Sequence, residues 1–352
     1  MEKLVLFPLN EDTEVLINNL RNSEQYQTVA VASYYEDKKR LELLQKKNSF
    51  YCSTDFEKCL GEADAVVFAE NTMEYDYEGY KERINQAQKS MKKIYISVAL
   101  LEKLGLDIEI DNFNILQEKS LPQDLGETKI KEIDIPIISI MGMGENCDKF
   151  NLQVKAKEVI EKKGYNVLAI SSNVLGKFLG MEVLPGFLYS KNMSYPEKIK
   201  YFNVWVYQLQ KQKKADVILL GCPSGISEFE DYETNFYAEI PLIISKAISI
   251  DAGLLTLYAN MGQNAETIKK LSDFLMVRFD TEVKEFVVSK QYFKADYECQ
   301  RIRYYKICER DDSQFNINDT TGYHISYIEN DLEVEDQVKA IINKLENNFH
   351  VI

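Results

Sequence analysis

Two glycines and a lysine stand between an apolar strand and a helical pattern, in the layout of a phosphate-binding loop. In residues 138–153, "ISIMGMGENCDKFNLQ", the two glycines follow the strand and the lysine begins the helix. Such loops bind phosphate because backbone N–H groups and a helix N-terminus point at the anion, and a lysine adds positive charge. The predicted site residues are Gly142, Gly144, Glu145, Asn146, Cys147, Asp148, Lys149, Phe150, Ser224 and Gly225.

The loop departs from the usual pattern G-x-x-x-x-G-K-[ST] on both sides of the lysine. Asp148 replaces the glycine before Lys149 and is expected to bring negative charge beside the phosphates. Phe150 replaces the residue whose hydroxyl normally binds magnesium. The loop is therefore either a working variant or the remnant of a nucleotide site.

A second motif, residues 215–226 with the sequence "ADVILLGCPSGI", supports the same class of fold. It resembles the strand-and-switch segment of the P-loop proteins that include dethiobiotin synthetases and the MinD and nitrogenase-iron-protein ATPases. Pro223, Gly225 and Ile226 match the acid-x-Pro-Ala-Gly-Ile run of that class, and Ser224 replaces the alanine. The ends of two buried parallel strands lie at one edge of a sheet, so we expect this turn to meet the glycine loop (residues 142–149).

The positions that hold magnesium in that class carry no ligand here. Gly221 stands where the acid should be, and Phe150 replaces the hydroxyl residue. Residues 171–173, "SSN", stand where an aspartate often orders metal or water. Ordinary magnesium-dependent ATP hydrolysis is not expected, and no metal site and no catalytic residue are predicted.

Cysteines and acids near the two motifs allow further interpretations. Cys147 and Cys222 could form a redox or nucleophilic pair, but no histidine lies nearby in sequence to activate them, which favours small packing residues. Four acids could replace the missing metal ligands, although a solvated acidic loop is the favoured interpretation: Glu145, Asp148, Glu228 and Glu230. In "LPGFL", Phe187 could contact a peptide or be tucked into the core.

Strand-like and helix-like segments alternate along the chain, which predicts parallel sheets covered on both faces. The fold class is α/β with two domains, a Rossmann-like parallel sheet followed by a P-loop-NTPase-like sheet with extra C-terminal strands. The predicted boundaries are 1–118 for the first domain, 119–134 for a linker and 135–352 for the second. The first loop, residues 8–14 ("PLNEDTE"), has no glycine, so binding of NAD(P) is not expected there.

Composition excludes several classes of partner. A net charge of −14 over 352 residues argues against nucleic acid, which needs clustered Lys and Arg. No apolar run is long enough for a membrane span, and no secretory signal is recognised, so a cytoplasmic protein with reduced thiols is expected. Six cysteines without a C-x-x-C pair and two histidines, His324 and His350, make a zinc or iron–sulfur site unexpected.

Several segments occur together in a fixed order: the glycine loop, "KKGYNVLAISSN", "LPGFL", "EKIKYFN" and "DVILLGCPSGI". This set, with the Rossmann-like first domain, resembles the clostridial peptide-maturation-system proteins, which are found beside radical-SAM enzymes and small precursor peptides. The resemblance implies an accessory role in producing a ribosomally made, modified peptide. It also implies two partners, the precursor peptide and a radical-SAM modifying enzyme, and leaves a homo-oligomer open.

Two functional hypotheses follow. The first is an accessory protein that binds precursor peptide or modifying enzyme and keeps a relic phosphate loop. The second is an enzyme of the ligase or NTPase class that uses the variant loop with ATP or GTP. Asp148, Phe150 and Gly221 favour the first, whereas Lys149 and the "PSGI" turn favour the second.

Overall fold

The computed structural model describes residues 1–21, 23–70, 77–106, 113–117, 121–122, 130–228, 230–261, 264–307 and 322–349. The chain divides into two compact units. Unit 1 comprises Met1–Glu118 and Val174–Gly186, and unit 2 comprises Lys119–Asn173 and Phe187–Ile352. Among the helices described, none is both long and apolar enough to cross a membrane.

Unit 1 contains a six-stranded parallel sheet with helices between its strands. The strands are β1 (Glu2–Phe7), β2 (Tyr26–Ala32), β3 (Tyr51–Ser53), β4 (Ala65–Phe68), β5 (Lys93–Ile96) and β6 (Phe113–Ile115). The helices are α1 (Glu11–Leu20), α2 (Lys38–Lys47), α3 (Phe56–Cys59), α4 (Tyr77–Lys89) and α5 (Val98–Leu104). The strand order β3-β2-β1-β4-β5-β6 is that of a Rossmann-like doubly wound sheet, which confirms the predicted fold of this unit.

Unit 2 is built around a second parallel sheet, whose strands in this unit follow the order β15-β12-β11-β7-β10-β8. These strands are β7 (Ile137–Gly142), β8 (Val167–Ser171), β10 (Val217–Gly221), β11 (Ala252–Leu257), β12 (Val283–Val288) and β15 (His324–Tyr327). The helices are α6 (Lys149–Lys162), α7 (Tyr195–Lys213), α8 (Glu239–Ala247), α9 (Ala265–Phe279) and α10 (Asp331–Phe349). β13 (Gln291–Asp296) and β14 (Arg301–Lys306) form an antiparallel hairpin, so the expected extra C-terminal strands are present.

The central strands of unit 2 are apolar because both faces of the sheet are covered. Every residue of β7, β10 and β11 is buried. On one face, α6 and α10 share a hydrophobic core with these strands, in which Leu152 and Val338 are nearly inaccessible to solvent. This core fixes the start of α6, and with it the glycine loop, at the carboxyl edge of the sheet.

The short stretch Val174–Gly186 belongs to unit 1, although the sequence assigned all of residues 135–352 to the second domain. It contains a 3-10 helix, Val174–Leu179, and a short strand, β9 (Glu182–Val183). The Phe178 ring packs edge-on against Tyr26 and Tyr95, with 5.1 Å between ring centroids in both pairs. Unit 1 therefore needs a piece of chain that follows β8, and the boundary is not a single linker.

Candidate functional site

The glycine loop connects β7 to α6 at the carboxyl edge of the unit 2 sheet, where α/β proteins bind their ligands. β7 lies between β10 and β11, and all three run parallel. The turn after β10 reaches the loop, because the Ile226 N–H donates to the Gly142 carbonyl at 3.1 Å. The two motifs that the sequence identified thus meet at one edge.

Lys149, the first residue of α6, connects the loop to the turn after β10. Its Nζ donates to the Gly144 carbonyl at 2.9 Å and also to the Ser224 carbonyl. Lys149, which was predicted to face phosphate, is therefore bonded to two backbone carbonyl oxygens at the carboxyl edge of the sheet. The structure brings Lys149, Gly144 and Ser224 together as the sequence predicted.

Two glycines are needed here because the backbone approaches its neighbours closely. A Cβ atom on Gly225 would lie 2.2 Å from the Met143 carbonyl oxygen and 2.3 Å from Asn235 Nδ2. A Cβ atom on Gly142 would lie 2.6 Å from Thr256 Oγ1. The tight contact between the two turns depends on the absence of side chains at these positions.

Asp148, the residue before Lys149, is held in the loop by its backbone conformation and by two hydrogen bonds. It has left-handed backbone geometry, with φ of 55°, which an aspartate tolerates better than most residues. Its carboxylate accepts hydrogen bonds from Ser289 Oγ at 2.7 Å and from the Lys290 N–H at 2.8 Å. The charge expected beside the phosphates is thus tied to the segment that follows β12.

Asp148, the N-cap residue of α6, makes no side-chain capping hydrogen bond to the helix. The first N–H groups of any helix lack a partner within the helix and carry its positive dipole end. Lys149, which begins this helix, adds an ammonium group that is bonded to the Gly144 and Ser224 carbonyls. A helix N-terminus and a lysine at one edge of a sheet are the groups that bind an anion in other proteins.

The positions that would hold magnesium are filled by groups that do not bind metal. Phe150 is only 5% exposed. At Gly221 a Cβ atom would lie 2.8 Å from Gln153 Oε1. The buried Gln153 amide donates to the carbonyls of Ile170, at 2.8 Å, and Leu219, at 3.2 Å, and so joins the ends of β8 and β10. An acid at position 221 would have no space, because Gln153 fills it.

The acids near the loop are not assembled for metal binding. Glu228 accepts a hydrogen bond from Ser227. The backbones of Glu230 and Glu233 pair in an isolated antiparallel β-bridge. Within the part of the chain that the structure describes, no three His, Cys, Asp or Glu side chains are grouped closely enough to hold a metal ion.

Both cysteines of the site are packing residues. Cys147 and Cys222 are 1% and 3% exposed. Burial raises the pKa of the Cys147 thiol to about 12 and that of Cys222 to about 11. Thiols with such pKa values stay protonated at neutral pH and are poor nucleophiles. The Cys222 sulfur lies 3.4 Å from Ser139 Oγ in the core, which agrees with the interpretation as fillers.

Asn235 is a residue of the site that sequence reasoning missed. Its Nδ2 donates to the carbonyls of Met143, at 3.0 Å, and Ser227, at 2.5 Å. Asn235 is 1% exposed, and its Oδ1 has no hydrogen-bond partner among the described residues. A buried acceptor of this kind is expected to have a partner. The side chain therefore holds the loop and leaves one acceptor for a ligand or water.

The backbone around Asn235 is strained. Residues 235–238 all have left-handed φ values, between 48° and 58°, although none is glycine. The left-handed conformation costs roughly 1–2 kcal/mol per residue. The turn exposes the rings of Phe236 and Tyr237, which are 74% and 66% accessible. The next regular helix, α8, begins at Glu239, directly after this turn.

A buried tyrosine closes the other side of the loop. Tyr258, directly after β11, donates its hydroxyl to the Glu145 carbonyl, and burial raises its pKa well above the usual value. Its ring stacks on Tyr304 of β14, with centroids 5.8 Å apart. The Tyr304 hydroxyl donates to Glu233 at 3.3 Å. The hairpin β13–β14 thus supports the loop, which no motif in the sequence indicated.

Phe187, which could have faced a peptide, is part of the core instead. It is 6% exposed, and its ring lies 6.0 Å from that of Tyr201 in α7. A side chain buried in this way offers no surface to a bound peptide.

The corresponding junction of unit 1 has the opposite character. Asn10 Oδ1 accepts from the Thr13 N–H at 2.8 Å, and Thr13 Oγ1 accepts from the Asn10 N–H at 2.7 Å. Asn10 Nδ2 also donates to the Glu70 carbonyl at 2.8 Å. This capping box satisfies donors at the start of α1 with groups of the chain itself.

Comparison with known proteins shows the fold and no more. No family model and no curated protein matches the chain. A DUF1611 family protein from Anabaena variabilis is similar in structure, with a TM-score of 0.55 and 12% identity, over 82% of this chain and 88% of that one. A LAO/AO transport system kinase has a TM-score of 0.33 and 11% identity, over 60% of this chain and 59% of its own. A putative myo-inositol dehydrogenase from Sinorhizobium meliloti has a TM-score of 0.26 and 12% identity, over 44% of this chain and 49% of its own.

Proposed function

We propose that the glycine loop binds a phosphate-bearing ligand without magnesium-dependent hydrolysis, in an accessory protein for the maturation of a ribosomally synthesised peptide. The observation that carries the first part is the start of α6. A helix N-terminus whose N-cap residue makes no side-chain capping bond stands together with Lys149 at the carboxyl edge of the sheet.

An anion would find two kinds of group at this edge. The first turn of α6 offers backbone N–H groups, and Lys149 offers an ammonium group that can exchange its carbonyl partners for phosphate oxygens. ATP and GTP carry phosphates and are the first ligands to test.

Hydrolysis is not proposed, because phosphoryl transfer in this class depends on a metal held beside the loop. Phe150 offers no oxygen, and Gln153 occupies the space of an acid at position 221. A bound nucleotide would then act as a stable part of the protein or as a signal that changes partner affinity.

The accessory role rests on the resemblance to peptide-maturation-system proteins. That resemblance supplies the proposed partners, a precursor peptide and a radical-SAM modifying enzyme.

An enzyme of the ligase or NTPase class is the second candidate. It is favoured by the retained position of Lys149, whose Nζ reaches both the loop and the turn after β10. This candidate requires turnover that depends on Lys149.

Calorimetry with ATP, GTP and the precursor peptide, each with and without magnesium, tests the proposal. We expect nucleotide binding that magnesium changes little, and no release of inorganic phosphate. Lys149→Ala should weaken binding about ten- to a hundredfold, since a hydrogen bond to a charged group contributes about 1.5–3 kcal/mol. Lys162→Ala is the matched control, because Lys162 lies on the same helix, is exposed and pairs with Glu158.

Two results would separate the candidates. Magnesium-dependent hydrolysis that disappears in Lys149→Ala would establish the enzyme and overturn the accessory proposal. Peptide maturation in a reconstituted pathway that is unchanged by Lys149→Ala would exclude the enzyme candidate. If wild type binds neither nucleotide, the phosphate-site proposal is wrong.

A further inference from the structure

We propose a second ligand site in unit 2, for an organic cation with an aliphatic body. A cavity of about 380 Å³ lies at the amino edge of the sheet, at the opposite ends of the strands from the glycine loop. We call it the amino-edge cavity. Ile138 of β7 and Val217 of β10 line it together with Ile160 of α6 and Leu345 of α10.

The size of the amino-edge cavity indicates an occupant. Protein interiors are close-packed and contain few voids larger than a water molecule. Ligand pockets, by contrast, have volumes of roughly 300–1,000 Å³ and mainly apolar walls. Six of its aliphatic lining residues are at most 8% exposed, namely Ile138, Ile160, Ala215, Val217, Ile342 and Leu345, whereas Ile135 and Pro136 are half-buried, so the cavity extends from the core towards the surface. Water gains little in a space lined by aliphatic side chains, so an apolar molecule is the better occupant.

The polar groups of the lining are acidic, and this determines the charge of the occupant. Glu346 accepts a hydrogen bond from the Tyr165 hydroxyl, and Asp216 accepts one from the Asn166 N–H at 2.7 Å. Among the described residues, no lysine or arginine lies within ion-pair distance of either carboxylate. Asp134, the third acid of the lining, is paired with Lys211 at 3.3 Å.

Two carboxylates without a basic partner, beside an aliphatic cavity, favour an ammonium group on a hydrocarbon chain. An anion of the same shape would meet like charge, whereas a neutral molecule would gain no charge pairing with the exposed Asp216 or the half-buried Glu346. Because the amino-edge cavity shares no lining residue with the glycine loop, this inference does not depend on the proposed function.

Calorimetry of the full chain with octylammonium, octanoate and 1-octanol tests the inference. We expect octylammonium to bind at least about tenfold more tightly than octanoate, with octanol between them. Glu346→Gln should reduce the affinity for octylammonium about fivefold, as expected for the loss of one partly exposed charge pair. Asp216→Asn should act similarly.

Matched variants separate charge from shape. Tyr165→Phe removes the hydroxyl that bonds to Glu346 but keeps the carboxylate, so octylammonium should still be preferred. Glu335→Gln, on the same helix α10 but outside the cavity lining, should change nothing. Ala215→Phe places a ring in the cavity and should abolish binding, with circular dichroism as the check on folding.

Equal affinity for octylammonium and octanoate would overturn the inference, as would a failure of folded wild type to bind octylammonium. Retention of the ammonium preference in the double variant with Glu346→Gln and Asp216→Asn would also overturn it. That double variant keeps the aliphatic lining, so the inference stays testable if Ala215→Phe does not fold.

Discussion

The two units each place the N-terminus of a helix at the carboxyl edge of a parallel sheet, yet the two junctions differ in what they leave available. At the start of α1, Asn10 and Thr13 cap each other's backbone. At the start of α6, the N-cap residue Asp148 is bonded to Ser289 and Lys290 and makes no side-chain capping bond to the helix. The same strand–loop–helix geometry therefore has a capping side chain from its N-cap residue in unit 1 and lacks one in unit 2. We call the first junction closed and the second open.

The difference shows what an anion site depends on. It depends on which backbone N–H donors at the helix N-terminus are left without a hydrogen-bond partner from the chain itself. Unit 1 has a proline and no glycine in its loop, so its backbone cannot approach a pyrophosphate closely. Unit 2 has Gly142 and Gly225, and the backbone of its two turns meets within van der Waals contact. Fold alone would have assigned the same role to both edges.

Gly225→Ala should have the largest effect on the unit 2 junction. The added methyl group would overlap the Met143 carbonyl and the Asn235 amide, and overpacking of this kind costs about 3 kcal/mol. Urea unfolding followed by fluorescence of Trp205, which lies in unit 2, measures it. Lys162→Ala is the control, because Lys162 is an exposed residue of the same unit. An unchanged midpoint for Gly225→Ala would show that the turns are not in close contact.

Asp148→Gly should destabilise unit 2 by about 2 kcal/mol, since hydrogen bonds to a charged group are lost while glycine accepts the left-handed backbone. Nucleotide binding should not improve, contrary to what the sequence alone predicts for removal of this carboxylate. Asp148→Asn keeps an acceptor and should cost less than half as much. Tighter ATP binding by Asp148→Gly at wild-type stability would place the carboxylate beside the phosphates after all.

Asn10→Ala should lower the local stability of unit 1 by about 1 kcal/mol, the usual cost of losing an N-cap. Faster amide hydrogen exchange in α1 would report this loss. Asn19→Ala, which removes only an exposed bond to the Val15 carbonyl, serves as the control. Equal exchange in both variants would mean that the capping box contributes nothing measurable.

The smallest effect is expected from NADH, which should not bind to unit 1. Fluorescence titration measures this directly. Micromolar affinity for NADH that Asn10→Arg abolishes would overturn the view that the first junction is closed, since the arginine side chain would stand where the pyrophosphate must lie.

Much of this architecture follows from local sequence. Alternating apolar strands and amphipathic helices predicted both parallel sheets, and strand–glycine–lysine order predicted the loop at the edge. The meeting of Lys149 with Ser224 followed from the rule that the ends of parallel strands share an edge. These features depend on periodicity and on short motifs, which a single sequence displays.

The remaining features depend on contacts between distant residues. Gly221 stands where related loops carry an acid, and the Gln153 side chain fills the space that this acid would need. Because the two residues are far apart in sequence, this contact is seen only once α6 is packed on the sheet. The left-handed turn at 235–238 contains no glycine, and the direction of the Asp148 carboxylate is set by the end of β12. The secondary-structure propensity of a residue does not depend on residues that are distant in sequence, so it cannot predict these contacts.

The discontinuity of unit 1 has a consequence for synthesis of the chain. The ribosome makes Met1–Glu118 first, but the ring of Phe178, which covers Tyr26 and Tyr95, emerges only later. At roughly 5–20 residues per second, several seconds separate the two events. The glycine loop is translated within that interval, so the contacts of Phe178 with Tyr26 and Tyr95 form only after β7 of unit 2 has been made.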